Sequence, residues 1–199
     1  PFGPLPGYTE DTNCGNLYVH GEYSESLTIA SQNDIIINGN LYPKSVASSL
    51  GTEPTGTDML GLIANNFVRV YHPLTGKREK PEYRKCGLAT NDTTPTTEIP
   101  EDLKTPYIYA AILAVKHAFI VDNFDCGAPS LGSLNMHGAL AGDFSNGMTG
   151  VFTGASTFIS GYGYNLVYDN RLEAEEPPHF LNPIQAAWVI QRETLATKP

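Results

Sequence analysis

A membrane-spanning run is missing from this chain. Nowhere in its 199 residues do ~18 consecutive apolar side chains occur, the length a helix needs to cross a bilayer. The longest apolar stretch, Ala110 to Val121, is interrupted by Lys116 and His117. Positive charge is also scarce. Lys and Arg number 12 against 21 Asp and Glu, a net charge of −9. That balance argues against binding nucleic acid or an anionic membrane, where affinity comes from neutralising phosphates. Charged residues make up only 17% of the chain and hydrophobic ones 41%, so the chain packs a core rather than forming an acidic disordered tail. Its length suits one domain with a small appendage.

Cysteine is sparse. Cys14, Cys86 and Cys126 lie far apart with no Cys-x-x-Cys, so zinc-ribbon and thioredoxin readings fail on spacing. One disulfide plus one free thiol and three reduced thiols both remain open. If a disulfide forms, Cys126 with Cys86 or Cys14 is the expected pairing, because Cys126 follows an aliphatic segment and the others sit in inserted or leading loops. There is no initiator Met, and residues 1–16 read as a linker of a mature or excised fragment.

Catalytic and cofactor motifs are wanting too. Gly154-Ala155-Ser156-Thr157-Phe158 lacks the closing Gly of a nucleophile elbow. Gly161-Tyr162-Gly163 lacks the third Gly of a dinucleotide loop, and no phosphate-binding Gly-Lys-Ser/Thr occurs. The histidines (His20, His72, His117, His137, His179) form no His-x-His or helical pair, so no metal site is expected, although His117 and His137 could stack. Asp34, Asp122, Asp125, Asp143 and Asp169 are candidates for an acid/base or Ca²⁺ cluster, but no Asp recurs at one position of the repeats below. These readings point to no enzyme, no cofactor and no metal.

What is present is repetition. Leu27–Ile37, Leu60–Val70 and Ala111–Val121 each place a short aliphatic strand before an Ala, then a polar break, then a second β-rich strand. Aligned on Ala30, Ala64 and Ala114, the second unit is one residue shorter in its break. Leu131–Ala141 is a weaker fourth copy. Short strands punctuated by Gly and Asn, recurring along the chain, predict an all-β right-handed parallel β-helix, a β-solenoid with irregular loops. A sandwich of similar hairpins is the other architecture this pattern permits. The solenoid is expected over 17–181, with insertions at 45–58 and 71–106. Five of the twelve basic residues fall between Lys77 and Lys85, as a solvated loop would have. Residues 182–199 read as a short helix and tail, started by Asn182 and Pro183, with Trp188 as a structural cap. Tyr162, Tyr164 and Tyr168 alternate with small or polar residues and are the expected contact surface.

The strings Leu27-Thr28-Ile29-Ala30, Asn33-Asp34-Ile35-Ile36-Ile37, Leu60-Gly61-Leu62-Ile63-Ala64-Asn65-Asn66, Tyr71-His72-Pro73, Tyr168-Asp169-x-Arg171-Leu172 and Pro177-Pro178-His179-Phe180-Leu181, through to Trp188, resemble a bacterial family. It comprises prokaryotic, often actinobacterial, PilX-like pilus-assembly-associated proteins. The resemblance runs from about Leu17 to Trp188. It implies an extracellular ectodomain at the bacterial cell surface, carried by an N-terminal hydrophobic anchor that this sequence does not contain. The expected function is a non-enzymatic structural or adhesive module of a pilus-associated or cell-surface protein, able to self-assemble, with copies of itself or other surface components as partners. The alternative is a carbohydrate-active or carbohydrate-binding β-helix protein, recognisable by a groove with carboxylates about 5–9.5 Å apart or by a row of exposed aromatic rings.

Overall fold

The computed structural model describes residues 11–72, 100–124, 131–143, 149–152 and 158–180. Within them the chain is built of short strands. In order these are β1 (Leu17–Tyr23), β2 (Leu27–Ser31), β3 (Ile35–Pro43), β4 (Leu60–Ala64), β5 (Val68–Val70), β6 (Tyr107–Ala114), β7 (Phe119–Val121), β8 (Ser133–Gly142), β9 (Gly150–Phe152), β10 (Phe158–Gly161) and β11 (Gly163–Tyr168). Single 3-10 turns at Lys44–Val46, Glu101–Leu103 and Asn170–Glu173 are the helical elements among the described residues.

Nine strands form one sheet, and its pairings are all parallel. β9 and β10 make a separate antiparallel pair. The repeats meet one another in register. In the first strands Ser31 faces Ala64, and Ala64 faces Ala114. In the second strands Ile35 faces Val68, and Val68 faces Phe119. Units one and two therefore have breaks of the same length, and unit three carries the extra residue. The polar breaks bond to each other as well: Asn66 N donates to Asn33 O, and Lys116 N to Asn65 O. Parallel pairing of segments distant in sequence excludes a sandwich of local hairpins for these units.

The right-handed parallel β-helix is corrected. The nine strands belong to a single open sheet that does not close on itself, in the order β11-β8-β6-β3-β5-β7, with β1 against β3 and β4 between β2 and β6. The physical reason lies in the two long strands. β3 pairs β5 through Ile35–Ile37 and β6 through Leu41, while β6 pairs β4 and β3 at different points along its length. Side-by-side runs of pairing thus merge laterally where the sequence reading placed separate coils. The expected C-terminal helix, with Trp188, lies outside the described residues, as does most of the 71–106 insertion.

The core lies on one face of these strands. Alternation sends Ile35, Ile37, Leu60, Leu62, Val68, Val70, Ile108, Ile112, Phe119, Val121, Leu134 and Met136 into one apolar cluster. At ~25 cal/mol per Å² of apolar surface removed from water, this shared interior is the main stabilising term.

Candidate functional site

Parity along β5 fixes the most unusual side chain. Val68 and Val70 point into the core, so Arg69 points the other way, yet it is only 9% exposed. It sits between two carboxylates from neighbouring strand ends. Its Nε lies 3.0 Å from Asp34 Oδ2, and a terminal nitrogen donates to Asp122 Oδ1 at 3.0 Å. Asp34, 2% exposed, also accepts from Phe67 N through Oδ1. Burial pushes the Asp122 carboxyl above its ordinary range, and Arg69 pulls it back. Two carboxylates clamping one guanidinium leave a buried net charge of about −1 by formal count. The arrangement cross-links β3, β5 and β7 on the face opposite the core.

His72 extends this cluster. It is buried; its Nδ1–H donates to Asp122 O at 3.0 Å, and Asn123 Nδ2 donates to His72 O at 2.8 Å. Its Nε2 has no hydrogen-bond partner among the described residues. Burial lowers the His72 pKa, with the carbonyl hydrogen bond opposing. His137 is lowered by burial too, with Glu53 and Asp169 opposing. A histidine kept neutral in the folded state takes its proton only in the unfolded chain. Stability is then full above the unfolded value, about 6.5, and falls as pH drops below it. The urea midpoint is expected to fall between about pH 7.5 and about pH 5.5, with a shallower slope in His72→Gln. A midpoint that rises on acidification over that range contradicts this assignment.

A second polar cluster ties the loop 51–58 to β6 and to the 3-10 turn at Asn170–Glu173. Tyr109 Oη accepts from Gly51 N at 2.8 Å and donates to Thr52 O at 2.9 Å. Its ring stacks on His137 at 4.5 Å, and Tyr23 Oη donates to Tyr109 O. Asp169 caps the 3-10 turn by accepting from Arg171 N, and also holds the Arg171 guanidinium, 2.7 Å from Nη2 to Oδ2. Arg171 Nη1 reaches Gly56 O and Asp58 O. Charge-assisted bonds of this kind are worth about 1.5–3 kcal/mol. Arg171→Ala is expected to lose that much in a urea titration, and an unchanged midpoint would show the loop held by other means.

The residues singled out in the sequence fare differently. Tyr162 is corrected: it is fully buried, packs in the core and donates from Oη to Leu103 O, so it offers no contact surface. Tyr162 lies between the turn at Gly161 (φ +71) and the start of β11, so it is not part of the strand that carries Tyr164. Tyr164 and Tyr168 are exposed on β11 at 37% and 46%. Burial still raises the Tyr164 pKa to about 12. His117 and His137 do not stack on each other; His117 lies on Phe67 at 4.4 Å and His137 on Tyr109. Among the weighed carboxylates, Asp34 and Asp122 both bind Arg69, Asp169 binds Arg171, and Asp125 lies outside the described residues. Cys14 is an exposed free thiol, while Cys86 and Cys126 lie outside the described residues. Among the described residues no group of three His, Cys, Asp or Glu side chains could hold a metal, and no helix is long and apolar enough to cross a membrane.

Arg69 and Arg171 were not singled out in sequence for these roles. An Arg between two valines of a short strand, and an Asp-x-Arg after an aromatic strand, are the signals that could have marked them.

The remaining exposure is concentrated. Among the described residues, large hydrophobics open to solvent are Leu17 and Tyr18 on β1, Tyr164, Leu166 and Tyr168 on β11, and Tyr71 and Val115 elsewhere. β1 pairs only with β3, and β11 only with β8, among the described residues.

Comparison with protein-family models, with curated proteins and with solved structures finds no match for this chain.

Proposed function

We propose that this chain is a non-enzymatic structural or adhesive module of a pilus-associated or cell-surface assembly, working through the borders of its sheet. One observation carries the reading. Of the seven large hydrophobics exposed among the described residues, five lie on the two strands β1 and β11. Strands with one unpaired side, bearing exposed apolar side chains, are sites where another chain adds. The buried charges support the same reading, since Asp34 and Asp122 are both engaged with Arg69 away from solvent. The PilX-like resemblance supplies the place, a bacterial cell surface, and pilus or surface components as partners.

The test is surface labelling. Antibodies raised against this chain are expected to label intact cells of the organism that makes it, and gentle protease treatment is expected to remove the label. Labelling that appears only after permeabilisation would overturn the reading.

A further inference from the structure

We infer that the partner at these borders is a second copy of this chain, joined head to tail, with the outer edge of β11 adding to the outer edge of β1 of the next copy. This rests on the reading above and names its partner. One continuous run of pairing connects the two borders. Gly21 of β1 faces Leu41 of β3, which faces Ile108 of β6, then Met136 of β8, then Leu166 of β11. Each step is parallel, so β1 and β11 run in the same direction at opposite ends of one five-strand ladder. A copy shifted by one further strand spacing, ~4.8 Å, presents β1 to β11 with the polarity the ladder already has.

The side chains match this continuation. Leu41, Ile108 and Met136 are all buried, whereas Leu166, last in their column, is 46% exposed. The next position in that column would be Gly21 of the following copy, where nothing lies within 4 Å of the space a Cβ would take. A half-exposed leucine therefore meets an open notch.

The backbone matches as well. Gly163 N donates to Gly132 O and Asp169 N to Gly138 O, both toward β8. Alternation along a parallel strand then turns the N–H groups of Tyr164, Leu166 and Tyr168 outward. On β1, Leu17 N donates to Asp34 O, so the N–H of Tyr18 faces outward too. The contact uses different surfaces on the two copies, so it need not close and can extend into a filament. The net charge of −9 makes copies repel, so association strengthens as salt screens that repulsion.

The experiment is sedimentation velocity on the full chain over a wide range of concentration and salt. The wild type is expected to give a mass that rises with both, without a plateau. Leu166→Pro and Tyr18→Pro each remove an outward N–H and leave the inner ladder intact, and each alone is expected to stay monomeric. Mixed in equal amounts they retain one good edge of each kind, and the mass is expected to double and rise no further. Leu166→Lys and Tyr18→Lys, which leave the backbone unchanged, are expected to behave as the proline variants do. A wild type monomeric under every condition overturns the inference, and so does a Tyr18→Pro or Tyr18→Lys chain that still dimerises alone, since that would pair β11 with β11. Neither result alters the surface-labelling outcome, so the two proposals fail separately.

Discussion

Replacing Arg69 by Met is expected to destabilise the chain by about 3–5 kcal/mol, because it strands two buried carboxylates. Asp34 and Asp122 are each within 3.0 Å of the guanidinium, with side chains 2% and 12% exposed. Methionine fills much of the volume, so the loss reports charge rather than a cavity. The control is the same substitution with Asp34→Asn and Asp122→Asn, which is expected to recover most of the stability, since removing every member of a buried ion cluster is far less damaging than removing one. The pH dependence has a definite sign. Burial already raises the Asp122 carboxyl and Arg69 opposes that rise, so in Arg69→Met the folded chain holds a proton on Asp122 more tightly than the unfolded chain does, and stability returns as pH falls through its raised folded value. A urea titration showing a loss under about 1 kcal/mol, the worth of an exposed pair, would mean that water already screens the cluster.

Gly138→Ala is the second large effect, expected to exceed about 4 kcal/mol. Gly138 faces Ala110 across the β8–β6 pairing at φ +152. A Cβ there would overlap the carbonyl oxygen and carbon of Ala110, backbone atoms that cannot rotate away. Gly21 separates strain from clash. It also has positive φ, +108, but open space around its Cβ position, so Gly21→Ala is expected to cost only about 1–3 kcal/mol of backbone strain. Thermal unfolding of the two variants side by side decides it. Equal losses would show that φ, not the contact with β6, sets the requirement at Gly138.

Much of this architecture was legible in the chain. The aliphatic strand, polar break and second strand recur because each unit pairs with the next, and Ala64 faces Ala114 as their alignment implies. Aligning Ala30 with Ala64 is one residue out of register: Ala30 faces Ile63, and Ser31 takes the position opposite Ala64. Two small side chains in succession, Ala30 and Ser31, fit either register, so only the pairing itself distinguishes them. Closure was not legible. Whether stacked strands wrap or merge depends on where long strands share neighbours, and β3 and β6 do so through Leu41 and Ile108, which carry no special signal. The candidate site was half legible. Tyr164 and Tyr168 are exposed as their alternation suggested, whereas Tyr162 shares their spacing but precedes β11 and is buried. The exposure of Leu166 and Leu17 is not legible in the sequence, because an aliphatic residue at a strand position looks like core until the number of neighbouring strands is known.

The claim that the sheet borders are the working surface is tested most directly by hydrogen exchange of the full chain at low and high protein concentration. The account predicts that amides of β1 and β11, those of Tyr18 and Leu166 among them, gain protection together as concentration rises, while the inner strands β3, β5 and β6 do not change. Protection that is independent of concentration at both strands, or that increases on the β9–β10 pair instead, would contradict it.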